Sequence, residues 1–259
     1  MSQRRPVTVT FAGSGDAFGS GGRFQACIHL RGPAGAAPVL LDCGATSLSA
    51  LRRCGLDPAE VAAVFVSHLH GDHFGGLPFF ILNAQFSGRT APLRLIGPPG
   101  IARRLAELME CLFPGSSTVA RRFPVDVTEL RPGGTAAVTE AAVRAAAWAA
   151  DHPSGAPALA LRLAFDTASG SAETVVGYTG DTAWTGALTE VAAGADLLIA
   201  EAYYRTKPVP FHLRHADLVA HRAELASRRV VLTHMSDDML EHLHRAEFET
   251  ARDGLILRV

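Results

Sequence analysis

The sequence predicts an α/β fold, and three features carry that prediction. Apolar runs of strand length alternate with amphipathic or capped stretches along the whole chain. No low-complexity linker and no short repeat interrupts the alternation, so residues 1–259 are expected to form one domain, with two similar αβ halves as an option. Several of the apolar runs stop abruptly at histidine or aspartate, which places polar side chains at strand ends.

The elements follow in order. Residues 7–11 alternate as a strand and break into the glycine-rich loop 12–22, whose spacing is not that of a dinucleotide or Walker loop. Residues 24–31 and 39–41 are the next strands, the latter ending in Asp42-Cys43-Gly44, and 46–54 is an amphipathic helix stopped by Gly55. The run 61–66 is a buried strand, 77–86 an apolar helix, 93–97 a strand, and 101–112 a helix opened by Pro98-Pro99-Gly100. Strands are expected at 125–130 and 138–150, although the alanines of the second make a helix its rival. Further strands at 158–165 and 174–178 flank a polar turn at 166–171. A helix at 184–193, a strand at 196–202, a helix at 216–227 and strands at 229–232 and 255–259 complete the chain.

Composition excludes several classes. Hydrophobic residues make up 48% and charged residues 19%, the balance of a compact globular protein. The formal net charge is −1 and no basic tract exceeds paired arginines, so strong nucleic-acid binding is not expected. No run of 18 apolar residues and no apolar amino-terminal leader occurs, which points to a cytoplasmic protein without membrane association. Cys27, Cys43, Cys54 and Cys111 form no C-x-x-C pair and are expected to be buried thiols in a reducing compartment.

The chemistry concentrates in His68-Leu69-His70-Gly71-Asp72-His73, directly behind the strand at 61–66. Alternate residues of an extended segment share a face, so His68 and His70 can grip one ion together. Beyond the Gly71 turn, Asp72 and His73 can serve a second. Imidazole and carboxylate suit Zn²⁺ and its neighbours, and the lack of cysteine argues against a closed structural site. His152 closes another apolar run and is held extended by Pro153, so it can reach the same sheet edge. Taken alone, a lone histidine of this kind is more often structural than a ligand.

His68-x-His70-x-Asp72-His73 behind an apolar strand resembles the metallo-β-lactamase superfamily of dinuclear metallohydrolases. That resemblance implies an αβ/βα sandwich, two mixed sheets flanked by helices, covering essentially the whole chain. It implies two divalent cations, Zn²⁺ first, with Mn²⁺ or Fe as alternatives. His68, His70 and His152 would hold one ion and Asp72, His73 and His234 the other, with Asp181 of Gly180-Asp181-Thr182 between them. Asp42 would orient a metal-bound histidine. The glycine-rich loop would lie beside the site and present backbone N–H groups to the substrate. An open two-metal site makes hydrolysis by a shared hydroxide the expected reaction, with Asp72 orienting or deprotonating the water.

The ribonuclease Z and phosphodiesterase branches add a histidine ahead of a helix, about twenty residues before the last ligand, that protonates the leaving oxygen. His212 precedes His234 by 22 residues and fits that role, with Glu201 as its polarising partner. Arg214 departs from the branch pattern, which has a hydroxyl residue there, and His215 is a nearby rival. Only 28 residues separate His152 from Asp181, too few for the tRNA-gripping arm of ribonuclease Z. The expected substrate is therefore a small or short phosphodiester, such as a cyclic nucleotide or cyclic phosphate. A lactonase or thioesterase, a ribonuclease Z-like tRNA 3′-processing enzyme, and a metal-bound binding module or redox di-iron protein remain alternatives. His70 stands where the redox branch carries an acidic ligand. A homodimer is a possible assembly.

Overall fold

The computed structural model describes residues 6–33, 35–166 and 173–259. The chain builds β1 (Thr8–Gly13), β2 (Cys27–Arg31), β3 (Val39–Leu41), α1 (Ser47–Arg53), β4 (Ala63–Phe65), α2 (Gly71–Phe74), α3 (Leu77–Phe86), β5 (Leu93–Gly97), α4 (Ile101–Leu112) and β6 (Val125–Glu129). It continues with β7 (Thr135–Val138), β8 (Val143–Ala150), β9 (Ala158–Phe165), β10 (Thr174–Tyr178), α5 (Ala187–Ala192), β11 (Leu197–Glu201), α6 (His215–Ala220), β12 (Val230–Thr233), α7 (Asp237–Glu241), β13 (Glu249–Thr250) and β14 (Leu255–Arg258).

The strands form two seven-stranded mixed sheets, ordered β14-β1-β2-β3-β4-β5-β6 and β13-β12-β11-β10-β9-β8-β7. In the first, β14 to β3 are antiparallel and β3 to β6 parallel. In the second, β7 to β10 are antiparallel and β10 to β13 parallel. The two sheets thus repeat one plan, as the two-halves expectation anticipates.

One apolar cluster, with Phe11, Leu30 and Phe65 facing Leu161, Phe165 and Tyr178, lies between the sheets. A second lies between the first sheet and α1, α3 and α4, and a third between the second sheet and α5, α6 and α7. The result is the αβ/βα sandwich. Helix α4 shows the local logic: Ile101, Leu105 and Met109, four residues apart, are its buried stripe. Each fully buried side chain of this size stabilises the fold by roughly 1.5–3 kcal/mol.

The rivalry at 138–150 resolves as strand. Alanine favours helix, but β8 pairs with β9 along all eight residues and turns Val143, Ala145 and Ala147 inward, where tertiary pairing overrides propensity. The expected single strand is broken, however, by left-handed Ala142. The helix expected at 216–227 is shorter; it ends at Ala220 and passes through the tight turn Arg222–Glu224. Strand β13 has no counterpart in the sequence reading, being only two residues long. The turn at 166–171 lies, from residue 167, outside the described residues. All four cysteines are free, but only Cys27 and Cys43 are buried; Cys54 is partly exposed and Cys111 exposed on α4, which corrects the expectation for those two. No described helix is long and apolar enough to cross a membrane.

Candidate metal centre

The carboxyl ends of β3, β4, β10, β11 and β12 meet at one edge of the sandwich, the usual place for a site in α/β sheets. Past β4 the chain stays extended through His70 (φ −77°, ψ 153°) and then coils into α2, so His68 and His70 precede the turn and Asp72 and His73 ride on it. That turn packs tightly on Gly44, where a Cβ would meet the Asp72 carbonyl oxygen at 2.2 Å. The glycine of Asp42-Cys43-Gly44 is therefore a packing requirement. The Cys43 N–H donates to the His73 carbonyl (2.7 Å) and the Gly76 N–H to that of Cys43 (2.8 Å), locking the two segments together.

Three groups of donors converge. His68, His70 and His152 form one, their rings 4.8–4.9 Å apart. His152 Nε2 lies 3.0 Å from His70 Nδ1. Asp72, His73, Asp181 and His234 form the second. His73 Nε2 stands 3.2 Å from Asp72 Oδ2, 3.3 Å from Asp181 Oδ1 and 3.2 Å from His234 Nε2. Asp181 lies between the groups, its Oδ2 3.9 Å from His68 Nε2 and 3.4 Å from His234 Nε2. Asp181, Glu201, His212 and His234 make the third.

A metal fits the first two groups. Their side chains are almost wholly buried except His70, yet His68 Nε2 and Asp181 Oδ1 have no hydrogen-bond partner. Orphaned buried polar atoms are rare and call for a partner. Burial alone would push His73 and His234 down, but Asp181, Asp72 and their neighbours raise both, His234 to about 10. Against the same burial, the facing histidines hold Asp72 and Asp181 ionised. Cations binding here would displace those protons. The two clusters suit a dinuclear metal site.

Supporting bonds hold the imidazoles of His73, His68 and His152. Asp42, fully buried and at φ 60°, accepts from the Ser67 N–H (2.7 Å), Ser67 Oγ (2.8 Å), Tyr178 Oη (2.7 Å) and His73 Nδ1 (2.7 Å). His73 Nε2 is thereby aimed into the site. Ser67 Oγ also lies 3.1 Å from His68 Nδ1, and the Phe211 carbonyl accepts from His152 Nδ1 at 2.9 Å. Tyr178 and Ser67 are absent from the sequence reading. Ser67 adjoins the motif and could have been suspected, whereas Tyr178 lies 136 residues from Asp42.

His212 and His215 separate cleanly. His212 Nδ1 donates to Glu201 Oε1, and its ring sits 4.8 Å from that of His152 with the side chain 20% exposed. Glu201 Oε2 is pinned by the N–H groups of Thr182 (3.0 Å) and Leu213 (3.1 Å). Burial lowers the His212 pKa, but Glu201 and Asp181 outweigh it and raise it above the ordinary value. His215 caps a different neighbourhood: its Nε2 accepts the Glu247 N–H at 3.0 Å and its ring meets Phe248. The glycine-rich loop abuts the site, with the Ser14 carbonyl accepting the His234 N–H at 3.1 Å. Several of its N–H groups already have acceptors, both within the loop and outside it. Those of Phe18 and Ser20 go to Asp16 and that of Gly21 to Asp237.

Known structures share this architecture. The metallo-β-lactamase fold protein YhfI from Bacillus subtilis superposes with a TM-score of 0.76 over 99% of this chain and 100% of its own, at 21% identity. The short form of human tRNase Z (ELAC1) gives 0.75 at 22% identity over 96% and 98%. A diphosphatase from the PhnP family gives 0.74 at 20% over 99% and 98%. In sequence, ribonuclease Z of Methanothermobacter thermautotrophicus is 39% identical over 130 residues, 50% of this chain and 39% of that protein. That of Salinibacter ruber is 38% identical over 97 residues, 38% of this chain and 29% of its own. The chain thus spans well under half the length of these curated relatives.

Fold and donor set define the class, a metallo-β-lactamase superfamily metallohydrolase of the ribonuclease Z and phosphodiesterase branch. Within it, residues 7–252 match the family model for the Anti-Pycsar protein Apyc1, and the chain belongs to that family.

Proposed function

We propose that the protein is a dinuclear metal-dependent phosphodiesterase acting on a small or short substrate of the cyclic nucleotide or cyclic phosphate type. The supporting observation is the Glu201–His212 pair beside the two clusters. In this reading His68, His70 and His152 would hold one divalent cation and Asp72, His73 and His234 the other, with Asp181 available to both. The cations, Zn²⁺ by preference of the donors, supply Lewis-acid polarisation and a water of lowered pKa. Asp72 would stand beside that water and could orient it.

His212 does the complementary work. With Nδ1–H given to Glu201, the protonated ring presents its second N–H, on Nε2, to the leaving oxygen. Glu201 keeps the ring in that orientation and stabilises its cation, and Tyr203, 4.9 Å away and inclined by 30°, covers one face of it. A carbonyl ester with a good leaving group needs no such donor, which favours the phosphodiester. The net charge of −1 and the short His152–Asp181 interval favour a small substrate.

A second reading, a ribonuclease Z-like endonuclease, draws on the two ribonuclease Z relatives. Zn²⁺- and Mn²⁺-loaded protein assayed on 3′,5′-cyclic nucleotides, bis(p-nitrophenyl) phosphate, a lactone, a thioester and a pre-tRNA decides among these. Turnover of cyclic nucleotides above the rest is expected. Preference for the lactone or thioester would overturn the proposal, and preference for pre-tRNA would establish the second reading.

A further inference from the structure

We infer that the ring of Phe211 is a platform on which an aromatic base of the substrate stacks while its phosphodiester meets the His/Asp clusters, an inference resting on the phosphodiesterase reading above. Phe211 is tied to the site on both sides. Its carbonyl accepts from His152 Nδ1 at 2.9 Å, and the next residue is His212. Phe211 nevertheless remains 44% exposed, next in sequence to His212 and bonded through its carbonyl to His152.

The backbone sharpens the point. Phe211 sits at φ 64°, a left-handed conformation that glycine takes freely and a bulky L side chain takes at a cost. Of the three other non-glycine residues with positive φ among the described residues, Asp42 and His234 also belong to the site. Strain of this kind gathers where geometry serves function. The bond to His152 needs only the carbonyl, which glycine would provide without strain. An exposed aromatic ring at such a position is favoured neither by burial nor by backbone preference, so a role for the ring itself accounts for it.

A flat apolar face beside a phosphodiester site is the chemistry that recognises a nucleobase. Every base has a π-face, so stacking accepts purines and pyrimidines alike and discriminates against substrates without a base. Substitution of one such aromatic typically weakens binding about 5- to 150-fold. Phe211 is thus a specificity-determining residue, selecting base-bearing substrates over base-free cyclic phosphates.

The test compares metal-loaded wild type with Phe211→Gly, Phe211→Trp and, as a control remote from the clusters, Phe86→Ala on the last turn of α3, where the ring is 86% exposed. Kinetics are measured on 3′,5′-cyclic AMP, 3′,5′-cyclic CMP and a base-free 3′,5′-cyclic ribose phosphate. Calorimetry gives Kd for AMP and CMP, and melting reports stability. Phe211→Gly should raise KM for both cyclic nucleotides, and Kd for both monophosphates, about 5- to 150-fold. KM for the base-free compound should shift far less. Its melting temperature should not fall, because glycine relieves the backbone, while Phe211→Trp should retain the preference and Phe86→Ala should match wild type. An unchanged ratio of KM between base-bearing and base-free substrates in Phe211→Gly overturns the inference alone. So does a lower melting temperature with equal losses on all substrates. Failure of wild type to turn over any cyclic substrate overturns the phosphodiesterase reading, and the inference with it.

Discussion

Replacing His212 with alanine tests the proton donor directly. In the folded protein its Nδ1 is held by Glu201, whose second oxygen is fixed by two backbone N–H groups, so the ring arrives at the site already oriented. A positioned imidazole contributes typically about 10² to 10⁴-fold to expulsion of a poor leaving group, equivalent to about 3–5 kcal/mol of barrier. His212→Ala should therefore lower kcat by that factor on a diester with an alkyl or ribose leaving group. A p-nitrophenolate leaves without a proton, so bis(p-nitrophenyl) phosphate hydrolysis should fall by less than about tenfold. If the protonated ring is the acid, its pKa is raised, against burial, above the ordinary imidazole value by Glu201 and Asp181, so wild-type kcat on the alkyl substrate should decline at alkaline pH, above the range of a free imidazole. Glu201→Gln removes the support and should move this limb to lower pH. His215→Ala, whose ring serves the Glu247 N–H, should change neither profile. Equal losses on both leaving groups in His212→Ala, with full metal content, would refute the role of proton donor.

Other outcomes follow from the same geometry. Asp181→Ala, lacking the carboxylate between the clusters, should lose metal and turnover while remaining folded; elemental analysis with circular dichroism reads both, and retention of two equivalents would contradict the assignment. Gly44→Ala drives a methyl into the Asp72 carbonyl and should cost about 1–3 kcal/mol by denaturant unfolding and weaken metal binding as α2 shifts; unchanged stability would refute the packing argument. His29 on β2 is buried, lacks a partner for Nδ1, and has its pKa lowered by burial, then by Arg31, to about 4. Between pH 6.5 and 4 the unfolded chain takes up a proton that folded His29 refuses, so stability falls with acidification by up to about 3 kcal/mol from this residue. His29→Leu should flatten that slope relative to wild type, and an identical slope would exclude His29 as the source.

The local part of the site was legible because it is local. His68, His70, Asp72 and His73 lie within six residues behind an apolar run, and extended geometry followed by one turn suffices to divide them. His152, Asp181 and His234 were legible as polar strand ends, but sequence could not say that those ends share one edge; the resemblance supplied that. Tyr178 shows the limit. Its hydroxyl donates to Asp42 from the opposite sheet, and no local pattern encodes a contact across the sandwich. His212 and His215 were ambiguous for a related reason. Both adjoin the start of α6, and only the direction of the chain into that helix turns one towards His152 and the other towards Phe248. Strand β8 was read as a strand against its alanine propensity, and pairing with β7 and β9 is what decides it. Composition likewise does not reveal that Asp16 and Asp237 hold the Phe18, Ser20 and Gly21 N–H groups of the glycine-rich loop.

Metal titration of the stripped protein bears most directly on a dinuclear hydrolase. Chelated protein should hydrolyse no 3′,5′-cyclic nucleotide, and activity should return with Zn²⁺ or Mn²⁺ to a plateau at two equivalents per chain, matching the two donor clusters. Full turnover by the chelated protein, or a plateau at one equivalent with no second ion bound, would contradict it.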